Sequence, residues 1–359
     1  NAYLHAFACC RSRKTFQTHT SPPMKIRFIS IFLGLLLCFS SCVDEPEYDN
    51  TPRGNFEALW RIIDEHYCFF DYKRQAYGLD WAEIYSKYAP RFAPRMSDGE
   101  TFEVLAEMLA ELRDGHVNLY SPFDVGRNWS WHEEFPTNFS EDLVNKYLGT
   151  NYQIAAGLKY QVFDDNIGYI RCSSFLNNFG EGNLDEIFLR LAPCNGLILD
   201  IRNNGGGMIT SAEKLAARFT NETLVVGYMQ HKTGKGHNDF SGLYPQRLSP
   251  TKGIRWQKPV VVLTNRGVYS AANEFVKYMK CFPRVTVVGD QTGGGAGLPF
   301  SSELPNGWSV RFSACPIYDR DFHTTEFGIE PHHPISLLSA DLQKDKDTLI
   351  EFARQFLAK

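Results

Sequence analysis

Apolar side chains recur at helical spacing through residues 55–112. They return every three or four positions, which places them on one face of a helix. The first stretch contains Phe56, Leu59, Trp60, Ile62 and Ile63, and the second contains Phe102, Leu105, Met108, Leu109 and Leu112. Ser97, with Glu100 three positions later, predicts the start of the second helix. We therefore expect a small helical domain at residues 55–120.

After residue 165 the pattern changes to short apolar runs separated by helical stretches. The runs are typical of buried strands and lie at Ile167–Cys172, Gly196–Asp200, Thr223–Tyr228, Pro259–Leu263 and Val285–Val288. The helical stretches lie at Leu184–Leu191, Ser211–Phe219 and Ala271–Lys280. Strands that alternate with helices predict an α/β fold with a largely parallel sheet over residues 166–359.

Residues 121–165 show the weakest pattern. Their aromatic side chains, Trp129, Trp131, Phe135 and Phe139, lie in polar surroundings, so we expect a long surface excursion that connects the two domains. Two interpretations remain open at this stage. The excursion covers a groove, or it is a loop packed by its own aromatic side chains.

The first 54 residues are predicted to direct and tether the protein. A short basic region with Lys25 and Arg27 precedes the apolar run Phe28–Phe39, and two serines then lead to Cys42. This order resembles a bacterial lipoprotein signal peptide at residues 24–41, cleaved before a lipid-bearing Cys42. Residues 1–23 then resemble an over-extended reading of the gene. The acidic, proline-containing residues 42–54 are typical of a flexible tether.

A transmembrane anchor is the alternative for this region. The apolar run is shorter than the roughly 20 residues that a membrane-spanning helix requires, so we favour the lipoprotein interpretation. It predicts a lipid-anchored protein of the bacterial cell envelope, in the outer membrane at the periplasmic face or at the cell surface. Contact with the membrane would be made through the N-terminal lipid only.

Composition excludes several classes of function. The formal net charge is −4, and no basic run lies beyond the N-terminus, so binding to nucleic acid is not expected. The cysteines after Cys42 form no C-x-x-C pair, and spacing identifies no disulfide. His332 and His333 lack partners at metal-binding spacing, so we expect surface residues and no metal site.

Ser270 lies where a predicted strand leads into a predicted helix, within the sequence TNRGVYSAANEF. The N-terminus of a helix stabilises developing negative charge, which suits a nucleophile. The competing interpretation is a helix cap, because serine is a favoured capping residue. Glu274 also lies near the position of a capping box.

Two further stretches carry candidate chemistry. The glycine run Gly205–Gly207 follows a predicted strand, and its backbone amides could approach a ligand and form an oxyanion hole. A flexible turn is the alternative, and a phosphate loop is excluded because no Lys-Ser or Lys-Thr pair follows. His116 lies at a helix-to-strand junction, where a histidine alone is more commonly structural.

Four motifs in this order resemble the C-terminal-processing and tricorn-core serine peptidases. They are DIRNNGGG at Asp200–Gly207, VVVLTNRGVYSAANEF at Val260–Phe275, VVGDQTGGGAG at Val287–Gly297 and FGIEP at Phe327–Pro331. The resemblance covers roughly residues 55–359. It implies a helical N-terminal domain joined to a crotonase-like αβ catalytic core, with Ser270 as the nucleophile.

The two branches of this family differ in the general base. The processing proteases use a lysine shortly after the strand that follows the nucleophile, and Gly295 occupies that position here. They usually also contain a PDZ domain, and the roughly 50 residues between His116 and Ile167 are too few for an ordinary domain. The chain therefore resembles the tricorn-like branch, which uses a histidine and a glutamate in place of the lysine, and is expected to contain no PDZ domain.

The tricorn-like branch implies particular roles for residues of this chain. His116 is the expected general base and Glu326 the expected orienting carboxylate, with Glu330 as the alternative. The amides of Gly206 and Ala271 are the expected oxyanion donors, with Gly207 as the alternative to Gly206.

We therefore expect a serine endopeptidase that acts on peptides or protein tails without a cofactor. One alternative is a catalytically silent protein on the same fold that binds peptides or apolar ligands. The joint presence of Ser270, His116 and Glu326 argues against it. Another alternative is an acyl-thioester enzyme of the crotonase class, which does not need a serine at the strand-to-helix junction.

Overall fold

The computed structural model of the protein describes residues 47–358. Cys42, the predicted signal peptide and the first part of the predicted tether lie outside the described residues. From Tyr48 onward the chain belongs to one compact unit. Within the described range, no helix is both long and apolar enough to cross a lipid bilayer.

The N-terminal helices are α1 (Pro52–His66), α2 (Phe70–Tyr77), α3 (Trp81–Tyr88) and α4 (Asp98–Ala110). The helix start predicted at Ser97 is confirmed for α4, and it takes the form of a capping box. The Ser97 hydroxyl accepts from the Glu100 amide, and the Glu100 carboxylate accepts from the Ser97 amide. Helix α1 begins three residues before the predicted start, with Thr51 as its cap and a proline at its first position.

The strands in chain order complete the framework. They are β1 (Asn118–Tyr120), β2 (Val125–Arg127), β3 (Gln153–Ala155), β4 (Leu158–Val162), β5 (Ile167–Arg171), β6 (Gly196–Asp200), β7 (Leu224–Met229), β8 (Tyr244–Leu248), β9 (Val260–Thr264), β10 (Val285–Gly289), β11 (Gly297–Glu303), β12 (Ser309–Tyr318) and β13 (His333–Pro334). They form two sheets in the described part of the chain.

The main sheet has the strand order β13–β10–β9–β6–β5–β4–β3. Its strands from β13 to β5 run parallel, and β4 and β3 extend it with antiparallel pairing. Every residue of β5, β6 and β9 is buried, as expected of parallel strands covered on both faces. The mixed α/β fold predicted from the sequence is therefore present.

Helices cover both faces of this sheet. They are α6 (Glu141–Leu148), α7 (Glu181–Leu191), α8 (Ile209–Ala216), α9 (Ala271–Met279) and α11 (Thr348–Leu357). Two further short helices, α5 (Ser130–Glu133) and α10 (Ser339–Leu342), have no buried residues. Successive residues of β6 point to opposite faces of the sheet. Leu197 packs with residues of α7, α8 and α9, whereas Ile198 packs with residues of α6 and α11. The excursion at residues 121–165 thus contributes α6, β3 and β4 to the main layer.

The second sheet is antiparallel and has the order β2–β1–β12–β7–β8, with β11 also paired to β12. The run predicted at Thr223–Tyr228 belongs here, as β7, and its assignment to the parallel sheet is wrong. The chain returns from β7 to β8 without a helix, whereas parallel neighbours usually require a helical crossover. The apolar faces of α1–α4 share a core with Trp308, Val310 and Phe312 of this sheet region.

Candidate active site

Ser270 directly precedes α9, and its hydroxyl does not cap that helix. Its backbone has φ 55° and ψ −123°, and its side chain makes no capping hydrogen bond. The capping interpretation is therefore wrong. The Glu274 carboxylate does not complete a capping box either, since it binds Lys277 at 2.7 Å. A positive φ is unfavourable for a residue with a Cβ atom. The Ser270 amide donates to the Gly294 carbonyl at 2.9 Å, which helps to hold this conformation.

His116 lies beside Ser270 although 154 positions separate them in sequence. Its Nε2 atom is 2.9 Å from the Ser270 Oγ atom. In the neutral tautomer that can accept the Ser270 proton at Nε2, the single N–H hydrogen of the ring lies on Nδ1. Nδ1 has no partner of good hydrogen-bond geometry among the described residues, although the Gly297 backbone lies close enough to favour the protonated ring.

Burial controls the ionisation of His116. It lowers the pKa of the imidazole to about 4, and Arg311 and Lys73 act in the same direction. The Asp114 carboxylate opposes this shift. His116 is therefore neutral at pH 7, which is the state that can accept a proton.

Asp114 fixes the turn that presents His116, and sequence reasoning missed it. Its Oδ1 atom accepts from the His116 amide at 2.8 Å. Its Oδ2 atom accepts from the hydroxyls of Tyr67 at 3.0 Å and Ser313 at 2.9 Å. The signal was present, because an aspartate commonly bonds the backbone amide two residues later in a turn.

Glu326 is buried near the site but makes no hydrogen bond to His116. Its Oε1 atom accepts from Lys73 Nζ at 3.0 Å, and its Oε2 atom accepts from the Ala296 amide at 3.0 Å. Burial, followed by the nearby Asp114 carboxylate, raises the pKa of Glu326, while Lys73 and the Ala296 amide oppose that shift. The alternative residue Glu330 is exposed and is not part of this group.

Glu326 instead supports the backbone that holds the serine. The Glu326 carbonyl accepts from the Gly295 amide at 3.0 Å, and the next amide binds its carboxylate. The preceding residue, Gly294, accepts the hydrogen bond from the Ser270 amide. The carboxylate is thus connected to Ser270 through one short backbone segment.

No lysine approaches the Ser270 hydroxyl from the positions considered in the sequence. Gly295 has φ 80°, and a Cβ atom there would lie 2.5 Å from the Tyr269 ring. Lys277 binds Glu274 and Gln246, and Lys280 binds the Glu330 carbonyl. The expected departure from a Ser-Lys site therefore agrees with the packing.

The glycine loop lies directly against the serine. A Cβ atom on Gly206 would lie 2.9 Å from Ser270 Cβ and 3.0 Å from the Ala271 amide nitrogen. The Gly206 amide donates to the Asn204 side chain at 3.0 Å. The Gly207 and Ala271 amides have no hydrogen-bond partner within residues 47–358. Of the two glycine candidates, Gly207 is therefore the one whose amide is not already engaged.

Trp131 of α5 packs over the loops that carry His116 and Ser270, a contact that the sequence does not reveal. Its ring stacks on Tyr269, the residue before Ser270, with centroids 4.0 Å apart and planes at 21°. Cβ atoms built on Gly115 and Gly293 would lie 2.5 Å and 2.3 Å from the indole. Arg266 binds the Trp131 carbonyl at 2.7 Å. Part of the excursion thus covers the site.

The cysteines and the paired histidines lie apart from Ser270 and His116 in sequence, and the structure shows their surroundings. Cys68, Cys172, Cys194, Cys281 and Cys315 are all free thiols in the structure. His333 is exposed, and the Nδ1 atom of His332 accepts from the Val287 amide at 2.9 Å. No group of three or more metal-binding side chains lies together in the region the structure describes.

Two protein-family models match the chain. Peptidase family S41 matches residues 166–335, and the tricorn protease C1 domain matches residues 48–110. Carboxyl-terminal-processing peptidase 2, chloroplastic, of Arabidopsis thaliana is 26% identical over 172 residues. That match covers 47% of this chain and 32% of the relative, so the chain spans about a third of that protein's length.

Solved structures extend the comparison over most of the chain. A crystal structure named "putative peptidase" from Parabacteroides merdae ATCC 43184 is 50% identical, has a TM-score of 0.81, and is matched over 86% of this chain and 97% of that one. Mature CPAF complexed with lactacystin is 12% identical, with a TM-score of 0.65 over 86% of this chain and 98% of that chain, and shows the fold alone. With the two family models, the 50% identical structure shows that this chain belongs to peptidase family S41, a family of serine peptidases.

Proposed function

We propose that the protein is a serine endopeptidase in which Ser270 is the nucleophile and His116 the general base. The observation that carries this proposal is the 2.9 Å distance between His116 Nε2 and Ser270 Oγ. It is a productive distance for proton transfer between a base and a nucleophile. Membership of a serine peptidase family supports the same chemistry.

The reaction follows from these two groups. As Ser270 Oγ attacks the carbonyl carbon of a peptide bond, its proton passes to neutral His116 Nε2. The resulting imidazolium returns this proton to the leaving amine, and the C–N bond breaks to give an acyl-enzyme. Water then gives its proton to His116, attacks the ester carbon and releases the carboxylic acid, with the proton returned to Ser270.

Backbone amides are proposed to hold the negative oxygen of the tetrahedral intermediate. The Ala271 amide lies at the N-terminus of α9, where the helix dipole also favours negative charge. We propose Gly207 as the second donor in place of Gly206, because Asn204 engages the Gly206 amide. Gly206 then serves the close approach of the loop to the serine.

Glu326 is proposed to act indirectly. Its contacts with Gly295 and Ala296 support the segment whose Gly294 carbonyl binds the Ser270 amide. A direct bond from Glu326 to the imidazole is not part of the proposal, since the carboxylate binds Lys73 and the Ala296 amide instead. The substrates are proposed to be peptides or protein tails, in line with the carboxyl-terminal-processing relatives.

A fluorophosphonate probe tests this function because it labels only an activated serine. We expect labelling of the protein at Ser270, located by mass spectrometry, together with hydrolysis in a peptide library. Ser270→Ala is the matched control and should show neither. A folded parent protein that binds peptides without labelling or cleavage would instead support the catalytically silent alternative.

We also propose, from the sequence alone, that Cys42 carries a lipid that anchors the protein to the cell envelope. Expression of the complete gene in a bacterial host with a radiolabelled fatty acid tests this. Labelled protein in the membrane fraction is expected for the parent and not for Cys42→Ala. Equal membrane association of both would contradict lipidation at this residue.

A further inference from the structure

Lys73 is a buried cation beside the site that none of the proposed steps uses. It lies on α2, and its side chain is 0% exposed. Its Nζ atom donates to Glu326 Oε1 at 3.0 Å and to the Arg113 carbonyl at 3.1 Å. Taking an ammonium group out of water is costly unless its partners are well placed. Such a group therefore suggests a role beyond general packing.

The first partner of Lys73 leads to the general base. Arg113 lies three positions before His116. Its backbone has φ 45°, in the left-handed region that residues other than glycine rarely adopt. Asp114 follows it and binds the His116 amide. Lys73 thus anchors the carbonyl group at the start of the turn that presents the imidazole.

The second partner leads to the nucleophile. The Glu326 carboxylate accepts a hydrogen bond from the Ala296 amide. Two residues earlier, the Gly294 carbonyl accepts one from the Ser270 amide. These two connections come from parts of the chain that are far apart, since Lys73 and Glu326 are separated by 253 positions. A single ammonium group therefore joins the turn of the base to the segment that holds the serine.

We propose that Lys73 is a positioning residue that holds His116 and Ser270 in register by binding the Arg113 carbonyl and Glu326 together. The proposal rests on the serine peptidase function given above. Lys73 does not touch either reacting side chain, and its ammonium group otherwise faces the Phe327 ring at 4.6 Å. The N-terminal helices are accordingly part of the catalytic apparatus and not a separate appendage.

The charge of Lys73 gives this role a signature in the pH profile. Several charged groups act on His116: Lys73 and Arg311 lower its pKa, and Asp114 raises it. Removing the Lys73 charge takes away one of the lowering influences. The pKa of His116 should then rise, and the acid limb of kcat/KM should move to higher pH.

The test compares Lys73→Met with Lys277→Met. Lys277 forms another buried pair, with Glu274 at 2.7 Å and both side chains 2% exposed, but it binds neither catalytic loop. For Lys73→Met we expect kcat to fall on the order of 10²-fold with little change in KM, because a small displacement of the base is enough for such a loss. For Lys277→Met we expect a lower Tm but an unchanged pH midpoint.

A double variant separates positioning from stability. Lys73→Met with Glu326→Gln removes both charges and avoids an unpaired buried carboxylate, so its Tm should recover relative to the single variant. If Lys73 positions the turn, kcat stays lower in the double variant than in Glu326→Gln alone, because the Arg113 carbonyl has lost its donor only in the double variant. Recovery of kcat together with Tm would overturn the proposal and leave only a structural role.

The same experiment keeps this inference distinct from the proposed function. A parent protein that neither cleaves peptides nor reacts with the fluorophosphonate probe would overturn both. An active parent with a fully active, folded Lys73→Met variant would overturn the role of Lys73 alone. Where the single variant does not fold, kcat and the pH midpoint of the double variant decide the matter.

Discussion

The Trp131 indole stacks on the Tyr269 ring with centroids 4.0 Å apart, and Tyr269 directly precedes Ser270. Arg266 holds this tryptophan in place by binding its carbonyl oxygen. A side chain from the excursion at residues 121–165 therefore packs against the residue that precedes Ser270. We therefore expect the geometry of Ser270 to depend on this cover as well as on α9.

Trp131→Ala should lower both activity and stability. The substitution removes a partly buried stacking contact, so we expect the free energy of unfolding to fall by about 2 kcal/mol. The usual loss for a fully buried aromatic residue is larger, about 3–5 kcal/mol. A displaced Tyr269 should lower kcat/KM, by up to about 10²-fold. Trp129→Ala is the control, because Trp129 is 39% exposed and stacks under Arg127. Equal effects of the two substitutions on kcat/KM would contradict a specific role for Trp131.

Backbone strain at Ser270 predicts an unusual stability ranking. Glycine adopts the observed φ of 55° without the Cβ clash, and the strain of such a conformation is of order 1–3 kcal/mol. Ser270→Gly should therefore be more stable than Ser270→Ala by about 1–2 kcal/mol, while both lack peptidase activity. Chemical denaturation measures the difference. A more stable alanine variant would argue against strain at this position.

The acid limit of activity should lie well below the ordinary histidine range. Only neutral His116 accepts the serine proton, so kcat/KM rises with pH through the pKa of this group. Burial places that pKa at about 4. The midpoint near 6.5 that an ordinary histidine gives is therefore not expected, and activity should persist into mildly acidic solution. A pH profile of kcat/KM, with Tm followed over the same range, measures the midpoint.

Replacing the base itself gives a further check. His116→Ala should lose about 10²- to 10⁴-fold in kcat, the usual contribution of a positioned acid–base group. Lys280→Ala should keep the parent rate, because Lys280 is exposed and binds only the Glu330 carbonyl. A lysine variant that loses turnover while His116→Ala keeps it would reverse the assignment of the base.

Local sequence patterns predicted the parts of the fold that depend on nearby residues. The helix start at Ser97 and the buried strands β5, β6 and β9 follow from the sequence within a few positions. The two-residue strand β13 and the antiparallel pairing of β7 with β12 depend on partners far away in the sequence, so no local pattern predicted them.

The candidate site shows the same division. Ser270 and the glycine loop were predicted from a strand followed by a helix, and His116 was found only through the family resemblance. Lys73 was missed because its significance comes from a pairing with Glu326, 253 positions away. A single lysine on an amphipathic helix normally predicts an exposed side chain.

Gly295 occupies the position at which the family resemblance led us to look for a lysine. Substitutions there test whether steric contact or backbone strain excludes a side chain. The φ of Gly295 is 80°, and an added Cβ would lie 2.5 Å from the Tyr269 ring. Gly78 has nearly the same φ, 77°, but no atom lies within 4 Å of the position that an added methyl group would occupy. Gly78→Ala therefore isolates the backbone cost, which is about 1–2 kcal/mol.

Gly295→Ala should cost clearly more than Gly78→Ala, because the methyl group must also push Tyr269 or the segment bound to Glu326. The displaced segment includes the Gly294 carbonyl that receives the Ser270 amide, so kcat/KM should fall as well. Gly78→Ala, at the end of α2, should keep the parent kcat/KM. Denaturation curves and steady-state kinetics on the two variants give both comparisons. Equal losses of stability with normal turnover in each would mean that steric contact with Tyr269 does not constrain the site.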